Sequence, residues 1–145
     1  MADVRGCHLP DELLYDVGNH IWVQEQENGN IRLGMTSVAT ALAGALVAFT
    51  PKKVGRKVKA GRSCATVESG KWVGPAKSAA GGEVIAVNED LKAAPGMAND
   101  DPYAAWMVEI SPEEWDTVKG TYVLGSDVAA PYEAKMDEDG FEGCE

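Results

Sequence analysis

The sequence predicts a mainly β fold in one domain, with short helices at its margins. Three observations carry this prediction. Apolar and polar residues alternate with a period of two over short runs, glycine-containing turns separate those runs, and only brief segments carry helix start and stop signals. At 145 residues the chain is long enough to enclose a substantial core.

Taken in order, Ile21-Trp22-Val23-Gln24 and Ile31-Arg32-Leu33 read as strands flanking Glu27-Asn28-Gly29-Asn30. Asn-Gly is a strong hairpin signal because both residues tolerate positive φ. Thr36 suits the N-cap of an Ala-rich helix ending near Gly44, where the missing side chain permits a left-handed exit. Leu46 to Phe49 reads as a short buried strand, and Gly55, Gly61, Gly81 and Gly82 punctuate further short strands. Ser111-Pro112-Glu113-Glu114 combines an N-cap, a proline at the first helical position and a capping acid, so a helix is expected to start there. A second helix is expected over Val128 to Lys135.

The run from Cys64 to Gly74 is the most informative. Ala65, Val67 and Ser69 alternate with Cys64, Thr66 and Glu68, and Trp72-Val73 resume strand-forming residues until Gly74-Pro75. Gly70-Lys71 between them predicts a hairpin tip with Gly70 at positive φ and the Lys71 ammonium standing clear of the sheet, with no helix beside it. The dipeptide alone is equally the pattern of a plain polar turn. A phosphate-binding loop is excluded, since Ala65 and Trp72 stand where that motif needs a glycine and a Ser or Thr.

Composition removes several function classes. A formal net charge of −10 argues against nucleic acid and anionic membranes and favours basic partner surfaces. The apolar stretch Val38 to Phe49 is too short to span a bilayer and is broken by Thr40 and Gly44, and no basic-apolar leader precedes the domain, so a soluble cytoplasmic protein is expected. Cys7, Cys64 and Cys144 lack metal-ligand spacing and make no disulfide framework. Cys64 is expected to be a small buried hydrophobe, and Cys7 and Cys144 exposed thiols. Trp22 and Trp106 are expected in the core, and His8 at the surface. No catalytic constellation and no metal site emerge.

Around Lys71 the chain resembles the H-protein family of the glycine cleavage system, small lipoyl carriers. The resemblance rests on Leu9-Pro10-Asp11-Glu12-Leu13-Leu14-Tyr15, Asn19-His20-Ile21-Trp22-Val23, Leu33-Gly34-Met35-Thr36, and Val54-Gly55 with Val58 and Gly61. It continues through Glu68-Ser69-Gly70-Lys71, Gly82 to Asn88, and Pro95 through Asp101-Pro102-Tyr103 to Trp106. Order and spacing carry it more than any one piece. It implies a lipoyl-domain barrel-sandwich hybrid with short peripheral helices. It also implies lipoic acid in amide linkage to Lys71, with Glu68, Ser69, Gly70, Trp72 and His20 around the attachment point. Such a protein is a carrier and not an enzyme, and a tethered arm gives its cargo a high effective concentration at each docked partner. Glu68 fits recognition by the attaching ligase or equally a solvated strand carboxylate. Trp72 fits a cover over the root of the arm or an aromatic packed on the sheet, and His20 fits a groove lining or a hydrogen-bonded structural residue. The expected organisation is an N-terminal extension over 1–8, a lipoyl-carrier domain over 9–136 and an acidic tail over 137–145, mobile unless a contact orders it.

Within that family the chain departs from the glycine-cleavage pattern. Ile21, Ala45, Thr50 and Lys53 stand where acids are usual, so a cationic cargo would meet fewer counter-charges. Ser69-Gly70-Lys71-Trp72-Val73-Gly74-Pro75 looks more like the lipoate-binding proteins of the sulfur-oxidising heterodisulfide-reductase-like system. That likeness implies as partners the lipoylation machinery, the heterodisulfide-reductase-like complex and dihydrolipoamide dehydrogenase. An aminomethyl carrier of glycine cleavage and an unmodified interaction protein of the same fold are the alternatives.

Overall fold

Short connections between short strands dictate antiparallel pairing, and every strand pair in this protein is antiparallel. The computed structural model describes residues 2–144. The chain runs through β1 (Ala2–Val4), β2 (Cys7–Leu9), β3 (Leu14–Asp16), β4 (Ile21–Glu25), β5 (Ile31–Met35), α1 (Ser37–Ala43), β6 (Leu46–Pro51), β7 (Lys57–Val58), β8 (Ser63–Ser69) and β9 (Val73–Lys77). It continues with β10 (Gly82–Val87), α2 (Glu89–Ala93), α3 (Met97–Asp100), β11 (Val108–Pro112), α4 (Trp115–Lys119), β12 (Val123–Leu124), a 3₁₀ turn at Gly125–Asp127, and α5 (Ala129–Asp139).

A large sheet in the order β12-β3-β4-β5-β11-β10-β7 faces a small one in the order β6-β8-β9. Ile21, Ile31, Leu33, Val84 and Ile110 from the first meet Phe49, Ala65 and Val67 from the second in one core. This is the mainly β fold that the sequence predicts, in the barrel-sandwich arrangement that the family resemblance implies. No helix among the described residues is long and apolar enough to cross a membrane.

The local signals act as read. Asn28-Gly29 lies in the β4–β5 turn, with Gly29 at φ +88° and Asn28 Oδ1 accepting from Asn30 N–H at 3.0 Å. Thr36 Oγ1 caps α1 by accepting from Ala39 N–H at 3.2 Å, a bond type contributing about 1 kcal/mol. Gly44 ends that helix at φ +82°. On β5, a Cβ at Gly34 would stand 2.3 Å from the Trp22 indole of the paired strand, so only glycine lets that ring lie flat in the core. Trp22 is buried, and its Nε1–H donates to Pro102 O at 3.0 Å.

Three expectations are corrected. The helix signal at Ser111-Pro112 is overridden by sheet pairing: β11 continues against β10 through Gly82↔Pro112, and α4 starts only at Trp115, after Glu114 at φ +51°. Trp106 precedes β11 and is half-buried, with the Arg32 guanidinium 4.3 Å above its ring. Cys7 and Cys144 are not free thiols but form a disulfide, with Cys7 fully buried. Cys64 is buried as expected, and desolvation pushes its thiol up to about 12. His8 lies on β2 with its imidazole half-exposed near Tyr103, while its carbonyl accepts from Ser37 Oγ and Tyr103 OH.

The disulfide belongs to a second core that joins both chain ends. Val4, Cys7 and Leu9 of the β1–β2 hairpin pack with Val128, Tyr132 and Met136 of the C-terminal segment. The tail is thereby held: α5 continues through Asp139, Phe141 N–H donates to Met136 O at 2.8 Å, and Cys144 N–H donates to Arg5 O at 3.0 Å. Arg5 also pairs with Asp137 and donates to Phe141 O.

Candidate functional site: the Lys71 hairpin and its groove

β8 and β9 stay paired up to Glu68↔Val73, which leaves Gly70 and Lys71 as the two-residue tip of a hairpin. Ser69 fixes the turn. Its N–H donates to Trp72 O at 2.7 Å, and its buried hydroxyl accepts from Lys71 N–H at 3.3 Å. With that local bond the chain reverses without positive φ at Gly70 or Lys71, contrary to the expectation for Gly70. A Cβ at Gly70 would meet nothing within 4 Å. Glycine there leaves open space beside the lysine and serves no conformational need.

Lys71 is exposed, and a helix does stand beside it. Its Cε lies 3.2 Å from the point a Cβ would occupy on Gly44, at the C-terminal end of α1. The aliphatic stem thus lies against backbone at a position where a Cβ would press on it and where φ of +82° already disfavours any side chain. Trp72, 41% exposed, folds back so that its ring covers Gly74, where a Cβ would stand 2.5 Å from it.

From the lysine a groove of about 440 Å³ runs between α1 and the hairpin. Met35, Ala39, Ala43, Val67 and Ala76 form its buried floor, and Leu42, Trp72, Pro75 and Ile21 add to its apolar lining. Among the described residues, Asn19 and His20 are its polar lining besides Lys71, and no Asp or Glu lines it. Of Ile21, Ala45, Thr50 and Lys53, Ile21 alone is part of this lining.

His20 is held in a left-handed conformation at φ +57°, which His tolerates better than most side chains. Its ring stacks on Tyr132 with centroids 5.6 Å apart, and Tyr132 OH bridges His20 Nδ1 and Thr36 Oγ1 at 3.0 Å each. His20 Nε2 stands 3.9 Å from Asp139. Burial lowers the imidazole below its ordinary value, and Lys135 lowers it further against the opposing pull of Asp139 and Asp16. His20 thus lines the groove and is hydrogen-bonded within it.

The structure brings Lys71, Trp72 and His20 to one groove, with Ser69 and Gly70 in the turn that carries Lys71, while Glu68 stays on the exposed face of β8 between Ala48 and Val73. The sequence reading missed Gly44, Tyr132 and Asp139. Gly44 was legible only as a helix stop, and Tyr132 is 112 residues from His20 with no local signal linking them. Among the described residues no cluster of His, Cys, Asp and Glu could hold a metal ion.

Known proteins match this chain over most of its length. The family model described as glycine cleavage H-protein matches residues 13–134. The chain is 46% identical over 145 residues to glycine cleavage system H protein 5 of Aquifex aeolicus, covering 97% of each chain. It is 41% identical over 120 residues to a probable glycine cleavage system H protein 2 of Sulfurisphaera tokodaii, covering 79% of this chain and 81% of that one. A crystal structure of a glycine cleavage system H protein from Mycobacterium marinum superposes with a TM-score of 0.71 at 29% identity, over 91% of this chain and 99% of that one.

Proposed function

The chain belongs to the glycine cleavage H-protein family, whose members carry a lipoyl group on a lysine, and on that premise we propose that this protein is a lipoyl carrier charged at Lys71. The observation that carries the assignment is the exposed lysine at a hairpin tip, its stem lying over Gly44 at the mouth of an apolar groove. The residues present fit the group: an aliphatic arm matches a lining of Met, Leu, Ile, Val, Ala, Pro and Trp side chains. The bound dithiolane supplies a disulfide–dithiol couple able to take up and release a carried group.

The chain's own residues have distinct parts in this reading. Ser69 holds the turn rigid, and the space beside Gly70 admits the attaching ligase to the Lys71 amine. Glu68, on the outer face, is offered to that same ligase. Trp72 walls the groove at the root of the arm, and His20, steadied by Tyr132, closes it at the polar end. Members of the family are carriers, so in this reading the chemistry lies in partner active sites and the protein acts as a cytoplasmic carrier between them.

Two pathways fit a carrier of this kind. The names of the relatives favour the aminomethyl carrier of glycine cleavage. One feature of the groove favours the second reading, sulfur transfer to a heterodisulfide-reductase-like complex. Among the described residues its lining holds no carboxylate, and Asp139 and Asp16 stand beside the lining residues His20 and Asn19 without joining it, so an ammonium meets little direct counter-charge, whereas an uncharged or anionic sulfur cargo needs none.

Attachment is tested by incubating the protein and Lys71→Arg with lipoate and a lipoate–protein ligase. The parent should take up one lipoyl group per chain and the variant none. Because arginine keeps an exposed cation, the variant should melt within about 0.5 kcal/mol of the parent. Failure of the parent to accept lipoate would leave an unmodified interaction protein. Reconstituting the lipoylated protein with each partner set separates the pathways: glycine-dependent carbon dioxide exchange supports the first, and sulfur-dependent turnover supports the second.

A further inference from the structure

The net charge of −10 conceals a sharp segregation. Six of the thirteen Lys and Arg residues fall within residues 52–62, a segment with no Asp or Glu, while the remainder has seven against all twenty-three acids. These six are Lys52, Lys53, Arg56, Lys57, Lys59 and Arg62, and all are exposed. Among the described residues none of them forms an ion pair, although Arg5, Arg32, Lys92, Lys119 and Lys135 all do.

The fold gathers them at one end of the barrel. Two tight turns, closed by Arg56 N–H to Lys53 O and Arg62 N–H to Lys59 O at 3.0 Å each, flank the two-residue strand β7. The end of β6 and the start of β8 complete a shallow cleft of about 380 Å³, lined by five of the six cations. β7 is an edge strand, and lysine protects edges from pairing with other chains. Lys57 alone meets that need. The other five cations lie outside β7, and self-repulsion among them costs stability that edge protection does not require.

We propose that this basic cleft is a docking site for an acidic segment of a partner protein. A compact row of carboxylates matches a rim two turns wide. An extended polyanion such as a nucleic acid or an anionic bilayer would also face the acidic surface that makes up the rest of the molecule, and would be repelled there. The position suits a carrier. Ser63 at the cleft and Ser69 below the hairpin tip are opposite ends of β8, roughly 20 Å apart at the rise of a β-strand. A partner gripping the cleft leaves the Lys71 end free to visit other sites. The preference for basic partners expected from net charge thus applies to the rest of the surface and reverses at this end.

The site is tested without reference to lipoylation, by nuclear magnetic resonance titration of the full-length protein. Its amide resonances are followed against a short peptide of alternating Glu and Ser, an oligonucleotide and phosphatidylglycerol vesicles, each at physiological ionic strength. The peptide should give saturable shifts centred on residues 52–63, with residues 69–73 unmoved. The triple variant Lys57→Gln/Lys59→Gln/Arg62→Gln should weaken binding about tenfold, since three exposed charge pairs are lost. Unchanged affinity in that variant, shifts without focus on the cleft, or tighter binding of the oligonucleotide or vesicles would overturn the proposal. So would concentration-dependent shifts of the cleft without peptide, which would assign it to a second copy of this chain.

Discussion

Gly70 and His20 illustrate how single residues contribute to the site in ways their types do not announce. Gly70 has neither a positive φ nor a neighbour within reach of a Cβ, so Gly70→Ala should be neutral or stabilise by about 0.5 kcal/mol through the unfolded chain. A denaturant titration showing a loss above about 1 kcal/mol would mean that the turn needs glycine after all. His20 has a folded-state pKa below its ordinary value of 6.5, so the unfolded chain binds the proton more readily. Its contribution is complete above that value and is lost as pH falls below it, before Glu25 and Glu109, both held below the usual glutamate value, begin to titrate. The melting temperature should therefore decline between neutral pH and about pH 5. His20→Asn, which keeps a side chain tolerant of left-handed backbone, should flatten that slope. An equally steep slope in the variant would place the titrating group elsewhere.

Elements were legible where their signals are local. The Asn28-Gly29 hairpin, the Thr36 cap, the Gly44 stop and the alternation through β8 all come from residues within a turn or two of each other. What the sequence concealed depends on distant partners. Ser111-Pro112 reads as a helix start until β10 captures it, because sheet pairing over several residues outweighs one capping motif. The acidic tail reads as mobile until its one cysteine meets Cys7, 137 residues away in sequence. That bridge predicts a measurable division of the molecule. Replacing both cysteines by alanine should cost roughly 3–5 kcal/mol, the scale for closing so long a loop. Amide hydrogen exchange should then quicken in α5 and around Cys144 while β4 and β5 remain protected. Unaltered exchange in α5 would show that Tyr132 and Met136 hold the helix without the covalent tie.

Across the whole molecule, two sheets build a rigid core, the hairpin tip displays Lys71 at one end, and the charges divide between a basic end and an acidic remainder. The joined chain ends brace the groove from behind, through Tyr132 on His20. This layout presents one amine and one groove to visiting enzymes, and its central claim is that Lys71 carries the lipoyl group. Peptide mass spectrometry after tryptic digestion, on protein from cells with an active lipoylation system, tests that claim most directly. Acylated lysine resists trypsin, so cleavage after Arg62 and Lys77 should release Ser63 to Lys77 as one uncut peptide bearing the lipoyl mass. Clean cleavage after Lys71 in that protein, or lipoate located on Lys77 or another lysine, would contradict the account.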